Sequence, residues 1–505
     1  MWARLRHPST PAAVAALVLL VAALRAPFVG LFPFPDESGL LIVASHWRDN
    51  GPQLYGHLFV DRPPGLLLFY AAADALGGLV AARVFGILLV AGLVVAAGRV
   101  GWLVGGRRSA IWSAAVAAGL ACNPATGAQE INAELIGVPL IVAGAALALA
   151  ALRPEGPPRR RALLLVAAGT AAGLAPTVKQ NLVDGLVLVV VLVGVAAWQG
   201  RWGVRRTATS WGLLAAGAAA PWVLILLWMV VDGPGTRVLW DTLVQFRVRA
   251  GEVMASHPYT AVTERLAHLP VLAAASGLVL LVAVALWLLR RALTEPAVVA
   301  GVAMLAAELA GLALGGNYWA HYLIALIPGV VVLVASAARR GTRTWPLLAA
   351  VVFTVGSAVV ASAGSVGAEA PLAPSHAKEE AVSSWLRAAQ GSGDTALVTY
   401  GQAQLLEASG LRPGYPYIWS LPLRTFDPHL DRLVHDVRSS HRPDWVVEWL
   451  PVDSWGLDAD GRAQRAIDAH YRPVATVCGV PVLLRSDLLR ALPPVPAGCT
   501  TTPAP

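Results

Sequence analysis

The chain has 505 residues, of which 56% are apolar and only 13% charged, against about 25% charged in an ordinary soluble protein. With a mean hydropathy of +0.62, so little charge cannot coat a globule of this size, which excludes one large soluble enzyme, a disordered chain and a coiled coil. The 38 basic residues outnumber the 30 acidic ones to give +8, but the Arg residues fall in short clusters between apolar runs, the pattern of membrane-protein inner loops rather than of a nucleic-acid-binding face.

In chain order, Met1 to Arg6 precede the first apolar run with no small-residue cleavage site, so the first span is expected to stay uncleaved. Apolar runs long enough to cross a bilayer fall near 11–31, 80–104, 109–123, 132–152, 162–178, 182–199, 208–231, 268–289, 296–315, 320–338 and 344–364. These 11 runs predict an all-α polytopic membrane protein. The run 64–79 is shorter, opens Arg62-Pro63-Pro64-Gly65, and reads as a half-buried or re-entrant helix. Parity supports that reading. With a cytoplasmic N-terminus, the inner segments 1–10, 105–108, 153–161, 200–207, 290–295 and 339–343 carry 16 Arg residues, and the outer connections 124–131 and 316–319 carry none. Counting 64–79 as a full crossing would place every later cluster outside.

Three outer segments, 32–63, 232–267 and 365–505, are too long to be mere connectors. In the last, Thr395 to Tyr400 and Trp445 to Trp449 read as buried strands, Ala463 to His470 as a helix, and 473–477 with 480–485 as a hairpin about Gly479. The sequence therefore predicts a membrane domain over 1–364, a small outer α/β domain over 365–490 and a Pro-rich tail over 491–505. The chain has three Cys, which excludes a disulfide scaffold and offers no metal-ligand spacing. Cys478 and Cys499 share the outer compartment, where a disulfide and two free thiols both remain open. Only Lys179 and Lys378 are Lys, a skew that with the Ala, Val, Gly and Leu content points to a GC-rich bacterial genome.

Polar chemistry collects at the outer ends of the spans. Asp36 and Glu37 directly follow the first span, where adjacent carboxylates are costly unless they serve or pair; Asp36 after Pro35 also fits the N-cap of a helix over 37–48. Glu130 and Glu134 are four residues apart, so on a helix they share one face, suited to a cation or a hydroxyl substrate or simply to a solvated helix start. Lys179 suits a phosphate headgroup or an interfacial snorkel. In Gly316 to Tyr322, Trp319 reads as a belt residue, while His321 is a candidate phosphate partner. Glu308 lies inside its span, and Asp74, Arg83 and Asp184 lie near outer ends as candidate structural ion pairs.

The order of these features resembles the GT-C glycosyltransferases. The shared features are an N-terminal span, Asp36-Glu37, an amphipathic loop helix, Gly51, Tyr55 and Asp61-Arg62-Pro63-Pro64. The closer likeness is to glycosyltransferase family 39, with the bacterial protein mannosyltransferases and the lipid A aminoarabinose transferases, over roughly residues 11–365. The segment Gly316 to Tyr322 with Pro328 also looks like a family feature. The resemblance implies a membrane enzyme that uses a polyprenyl-phosphate sugar on the outer side of a bacterial plasma membrane. It implies Asp36 as base on the acceptor hydroxyl, with Glu37 as its pair. Donor phosphate would fall to Arg62, Lys179, His321 and Tyr322, with Arg62 standing where relatives often have Lys. Relatives also place an acidic residue in the second outer loop, which either Glu130 or Glu134 fills. A divalent cation at Asp36, Glu130 or Glu134 stays open. The acceptor would be a protein, lipid or polysaccharide. Two rival classes remain: a transporter or flippase for lipid-linked sugars, which should show repeated halves and mid-membrane polar groups, and a non-catalytic scaffold that binds cell-wall glycan. No internal repeat is evident, and the polar groups crowd one edge.

Overall fold

In hydrocarbon each segment must close its own backbone hydrogen bonds, and this chain does so with helices. The computed structural model describes residues 9–50, 54–153, 157–256, 260–341, 344–366 and 376–496, without the side chains of 49, 50 and 366. The first 366 residues hold α1 (Thr10–Arg25), α2 (Pro35–Asn50), α3 (Pro64–Ala75), α4 (Leu79–Gly105), α5 (Arg107–Ala121), α6 (Ala133–Ala151), α7 (Pro158–Val178) and α8 (Asp184–Trp198). They continue with α9 (Val204–Val231), α10 (Thr236–Trp240), α11 (Phe246–Ser256), α12 (Thr260–Ala275), α13 (Leu278–Leu289), α14 (Pro296–Leu314), α15 (Ile327–Ala338) and α16 (Trp345–Val366).

Every expected span is helical, but not every one is full length. Among the described residues eight helices are long and apolar enough to cross a membrane, and α12 with α13 makes a ninth if that bent pair is one span. The straight span expected over 268–289 is instead broken by 64° at Ser276 and Gly277. Gly277 has φ +84, and a Cβ there would meet Thr354 Oγ1 at 2.3 Å. The helices α5 and α8 have 15 residues each, a rise of about 22 Å, short of the roughly 30 Å hydrocarbon core. The 12-residue α3 is shorter still, with a rise of about 18 Å.

The loops at the opposite end are knitted by their own Arg residues. Arg108 donates to the Gly341 carbonyl at 2.9 Å, Gln199 to Thr294 at 2.7 Å, and Arg340 pairs with Glu295 at 2.5 Å. The span ending in α15 is central, with 83% of its window buried, while the segment containing α1 is peripheral at 17%. Between α7 and α9 the backbones touch. A Cβ on Gly169 would lie 2.2 Å from the Leu214 carbonyl oxygen, and one on Gly217 2.2 Å from that of Val166. Small residues permit this approach where lipid supplies no hydrophobic drive between helices.

The C-terminal part holds α17 (Ala377–Ala389), β1 (Thr395–Val398), α18 (Ala403–Ser409), β2 (Arg412–Pro413), α19 (Ser420–Phe426), α20 (Asp431–Arg438), β3 (Trp445–Val447), α21 (Arg462–His470), β4 (Tyr471–Val477) and β5 (Val480–Arg485). The sheet order is β2-β1-β3-β5-β4. β2, β1 and β3 run parallel, and β5 is antiparallel to both neighbours. Both residues of the β4–β5 turn have positive φ, +50 at Cys478 and +77 at Gly479, the geometry whose twist matches a hairpin. The fully buried Trp445 donates its indole N–H to Asp394 at 2.8 Å. Cys122 is buried and free; Cys499 lies outside the described residues, as does Gly51.

Gly169→Val forces the α7 and α9 backbones apart and is expected to cost about 1–3 kcal/mol, read as a lower melting temperature of the detergent-solubilised protein. A melting temperature equal to wild type would contradict the close packing.

Candidate active site

The loop after α1 is built around one buried ion pair. Glu37 is 0% and Arg83 2% exposed, and Arg83 Nη2 lies 2.7 Å from Glu37 Oε2. Glu37 Oε1 also accepts the Ile131 backbone N–H at 2.8 Å. Arg83 donates in turn to the carbonyls of Leu31 at 2.6 Å, Val29 at 3.2 Å and Phe32 at 3.3 Å. A desolvated charge survives only when fully bonded in this way. Glu37, expected beside Asp36 in the chemistry, thus has both oxygens committed to protein donors. It ties the first loop, the start of α4 and the loop before α6 together. Tyr70 and Arg25 hold that last loop as well, through the carbonyls of Ile131 and of Ala121 and Ala128.

Asp36 sits in the first turn of α2, not at an N-cap before 37–48, because the helix starts at Pro35. Its Oδ1 accepts the indole N–H of Trp419 at 3.0 Å. The Trp belongs to the C-terminal part, and nothing in the sequence pointed to it.

Arg62 is close enough to this carboxylate for Asp36 to favour its charge. Asp61 Oδ1 pairs with Arg62 at 2.6 Å, and Oδ2 with Arg247 at 2.8 Å. Burial opposes ionisation of Asp61, but Arg247 and Arg62 outweigh it and hold the carboxyl below its usual range. Arg62 is raised: burial opposes its charge, and Asp61, Asp36, Tyr322 and Glu134 outweigh it. The Tyr55 hydroxyl pins the Arg62 carbonyl at 2.8 Å, with Tyr55 itself at φ +68. Arg247 opens α11 in the long connector 232–267. Its only sequence signal was the length of that connector.

Lys179, at the end of α7, pairs with Glu134 in the first turn of α6, both buried. Its ammonium lies 4.2 Å from the Tyr322 ring centroid. Glu130 Oε2 is 3.8 Å from His321 Nδ1, an ion-pair rather than a hydrogen-bond distance. Burial, and then the charges of Asp36, Glu37 and Glu134, push the Glu130 carboxyl well above its usual range. His321 stacks on Trp319 at 6.3 Å and meets Tyr322 edge-on at 5.2 Å. The expected belt residue Trp319 also carries Arg265 3.9 Å over its ring.

The fold therefore gathers Asp36, Arg62, Lys179, Glu130, Glu134, His321 and Tyr322 at one end of the bundle, and adds Arg247 and Trp419. The carboxylates named as cation candidates are separately engaged, Asp36 by Trp419, Glu130 by His321 and Glu134 by Lys179. Among the described residues no group of three or more His, Cys, Asp or Glu is placed to hold a metal ion. The structural pairs are Asp74 with Arg48 at 2.8 Å and Arg83 with Glu37. Glu308 accepts the Gly329 N–H at 2.8 Å and lies beside Asp184.

Solved structures share this architecture along nearly the whole chain. ArnT from Cupriavidus metallidurans bound to undecaprenyl phosphate superposes with a TM-score of 0.65 at 14% identity, covering 93% of this chain and 97% of that one. The oligosaccharyltransferase AglB from Archaeoglobus fulgidus, in complex with an inhibitory peptide and a dolichol-phosphate, gives 0.55 at 10% identity over 95% of this chain and 74% of that one. An oligosaccharyltransferase of the same organism in complex with Zn and sulfate gives 0.51 at 13% identity over 91% and 71%. No protein-family profile and no curated protein matches the sequence.

Two outcomes test this geometry. Glu37→Ala leaves Arg83 buried without its counter-charge and is expected to cost about 3–5 kcal/mol, seen as a large fall in melting temperature or in folded yield. Asp61 has a depressed folded pKa, so its stabilisation is present above the unfolded value of about 3.9 and is lost as pH falls through the lower folded one. The melting-temperature gap between wild type and Asp61→Asn should accordingly be full at neutral pH and close below about pH 4; a gap that stays constant with pH would show that Asp61 is not held ionised.

Proposed function

We propose that this chain, which has the GT-C fold, is a membrane glycosyltransferase. In this reading it moves a sugar from a polyprenyl-phosphate donor to a hydroxyl of a cell-envelope glycan, lipid or protein. The observation that carries the reading is a carboxylate, Asp36, whose charge favours that of Arg62, with Lys179 and Arg247 in the same electrostatic cluster as Arg62, at one end of an apolar helical bundle. A base for a hydroxyl and a cationic seat for a lipid phosphate are the two parts that such a transfer needs. The ligands bound in two structures of the same fold, undecaprenyl phosphate and a dolichol-phosphate, are of the same class.

The step is a single displacement with inversion. Asp36 takes the acceptor proton as the hydroxyl oxygen attacks the anomeric carbon, and the bond from that carbon to the phosphate oxygen breaks. Polyprenyl phosphate leaves with its negative charge on Arg62 and Lys179, with His321 and the Tyr322 hydroxyl as further partners. Because phosphate is a good leaving group, no strong general acid is required. Before the donor arrives, Asp61 and Glu134 neutralise the buried cations, which keeps a desolvated cationic site tolerable. Arg at position 62 offers phosphate a bidentate fork. The Arg-rich loops at the other end of the bundle support an orientation with the N-terminus cytoplasmic and the site facing out of a bacterial plasma membrane.

The test is label transfer from a panel of polyprenyl-phosphate sugars to membrane acceptors by the purified protein in proteoliposomes. Asp36→Asn, at normal expression, should lower kcat by about 10²- to 10⁴-fold. Arg62→Gln should raise the donor KM by about tenfold or more, as expected for one lost charge-assisted contact. Full activity in Asp36→Asn sinks the assignment of the base, and no transfer by wild type from any donor sinks the function.

A further inference from the structure

Asp36 is reached from two domains at once. Its backbone is held from the membrane side, since the next residue, Glu37, is locked to Arg83 and to the Ile131 N–H. Its side chain is held from the other side, by Trp419 Nε1 at 3.0 Å. The indole lies where Gly39 leaves room: a Cβ on Gly39 would fall 2.2 Å from Trp419 Cζ2 and 2.8 Å from Cε2. Any other residue at position 39 would push the ring away from Asp36, one helical turn before it.

The indole is also fixed at its own root. Trp419 is the N-cap of α19, and three residues earlier the Pro416 carbonyl accepts the Phe59 N–H at 3.0 Å. Four rings from three parts of the chain interlock beside it. Phe59 of the first loop packs on Phe426 of α19 at 4.8 Å and on Phe246 of α11 at 4.9 Å. Tyr417 stacks on Phe426 at 5.8 Å. Phe246 directly precedes Arg247, so one cluster sets both the Trp419 side and the cation side of the site.

A carboxylate with a single fixed N–H donor has its rotamer chosen and its two oxygens made unequal. The bonded oxygen is less basic, and the other becomes the one that receives a proton. We infer that Trp419 is a positioning residue for Asp36, and that the C-terminal domain thereby forms part of the active site by turning the free Asp36 oxygen toward the acceptor hydroxyl. The inference rests on the reading of Asp36 as general base.

Four variants of the full chain in proteoliposomes, one of them double, test it, with melting temperature as a control for folding. Trp419→Phe keeps an aromatic ring over Gly39 and removes the N–H. It is expected to lower kcat about tenfold, the worth of one hydrogen bond to a charged group, with the donor KM unchanged. Gly39→Ala leaves Trp419 in place but displaces the ring, and should give the same pair of effects. Asp36→Asn supplies the baseline, and adding Trp419→Phe to it should change nothing further. If Trp419→Phe and Gly39→Ala keep wild-type kcat while Asp36→Asn is inactive, the contact is packing only and the inference falls alone. If Asp36→Asn is active, or wild type transfers nothing, the assignment of function falls first and takes this inference with it.

Discussion

The ion pair between Glu37 and Arg83 is the constraint on which the site depends. It joins the loop after α1, the start of α4 and the loop before α6, and no side chain of the proposed chemistry lies far from one of those three. A buried pair of this kind adds little net stability over an apolar replacement. What it supplies is registry, because each charge can be satisfied in only one arrangement of its donors. Glu37 bonds Arg83 and the Ile131 N–H together, and Arg83 bonds the carbonyls of Val29, Leu31 and Phe32. The carboxylate next in sequence to Glu37 inherits that precision.

The same logic extends across the site as a set of desolvated charges held in balance. Arg62 and Arg247 share Asp61, and Glu134 answers Lys179. Each cation is stable in a low-dielectric environment while its counter-charge is present. Glu130 shows the other side of this balance. Burial and the charges of Asp36, Glu37 and Glu134 outweigh Arg83 and suppress its acidity. The site is thus electrostatically asymmetric, with acids toward α2 and α6 and cations toward α7 and α11.

Much of this was legible in the sequence, and the reason differs by feature. Asp36 stood out because a charge at the end of an apolar run is expensive and so needs a purpose, Lys179 and His321 as polar groups at the outer ends of spans, and Arg62 through the resemblance of the element Asp61 to Pro64. The hairpin about Gly479 and the strand at Trp445 were readable from alternation and turn chemistry. The break at Gly277 was not, because twenty apolar residues have the same composition whether the helix bends or not; Thr354 on a distant helix occupies the space. Arg247 was one Arg among 36, and only the packing of α11 against Asp61 separates it from the rest. The roles of neighbours were equally hidden. Asp36 and Glu37 are adjacent acids in the sequence, yet one is tied up in structure and the other meets Trp419.

The sequence by itself determined the membrane class, the helical content, the segregation of Arg residues to one set of loops and the small α/β domain at the C-terminus. These follow from composition and short-range periodicity, which act within a segment and need no partner. The tertiary structure alone decided which charges neutralise one another, which helix bends, and that the C-terminal domain reaches residue 36 from position 419. Those are contacts between groups far apart in the chain. Their energies depend on burial and on distances of a few ångströms, quantities that no local pattern encodes.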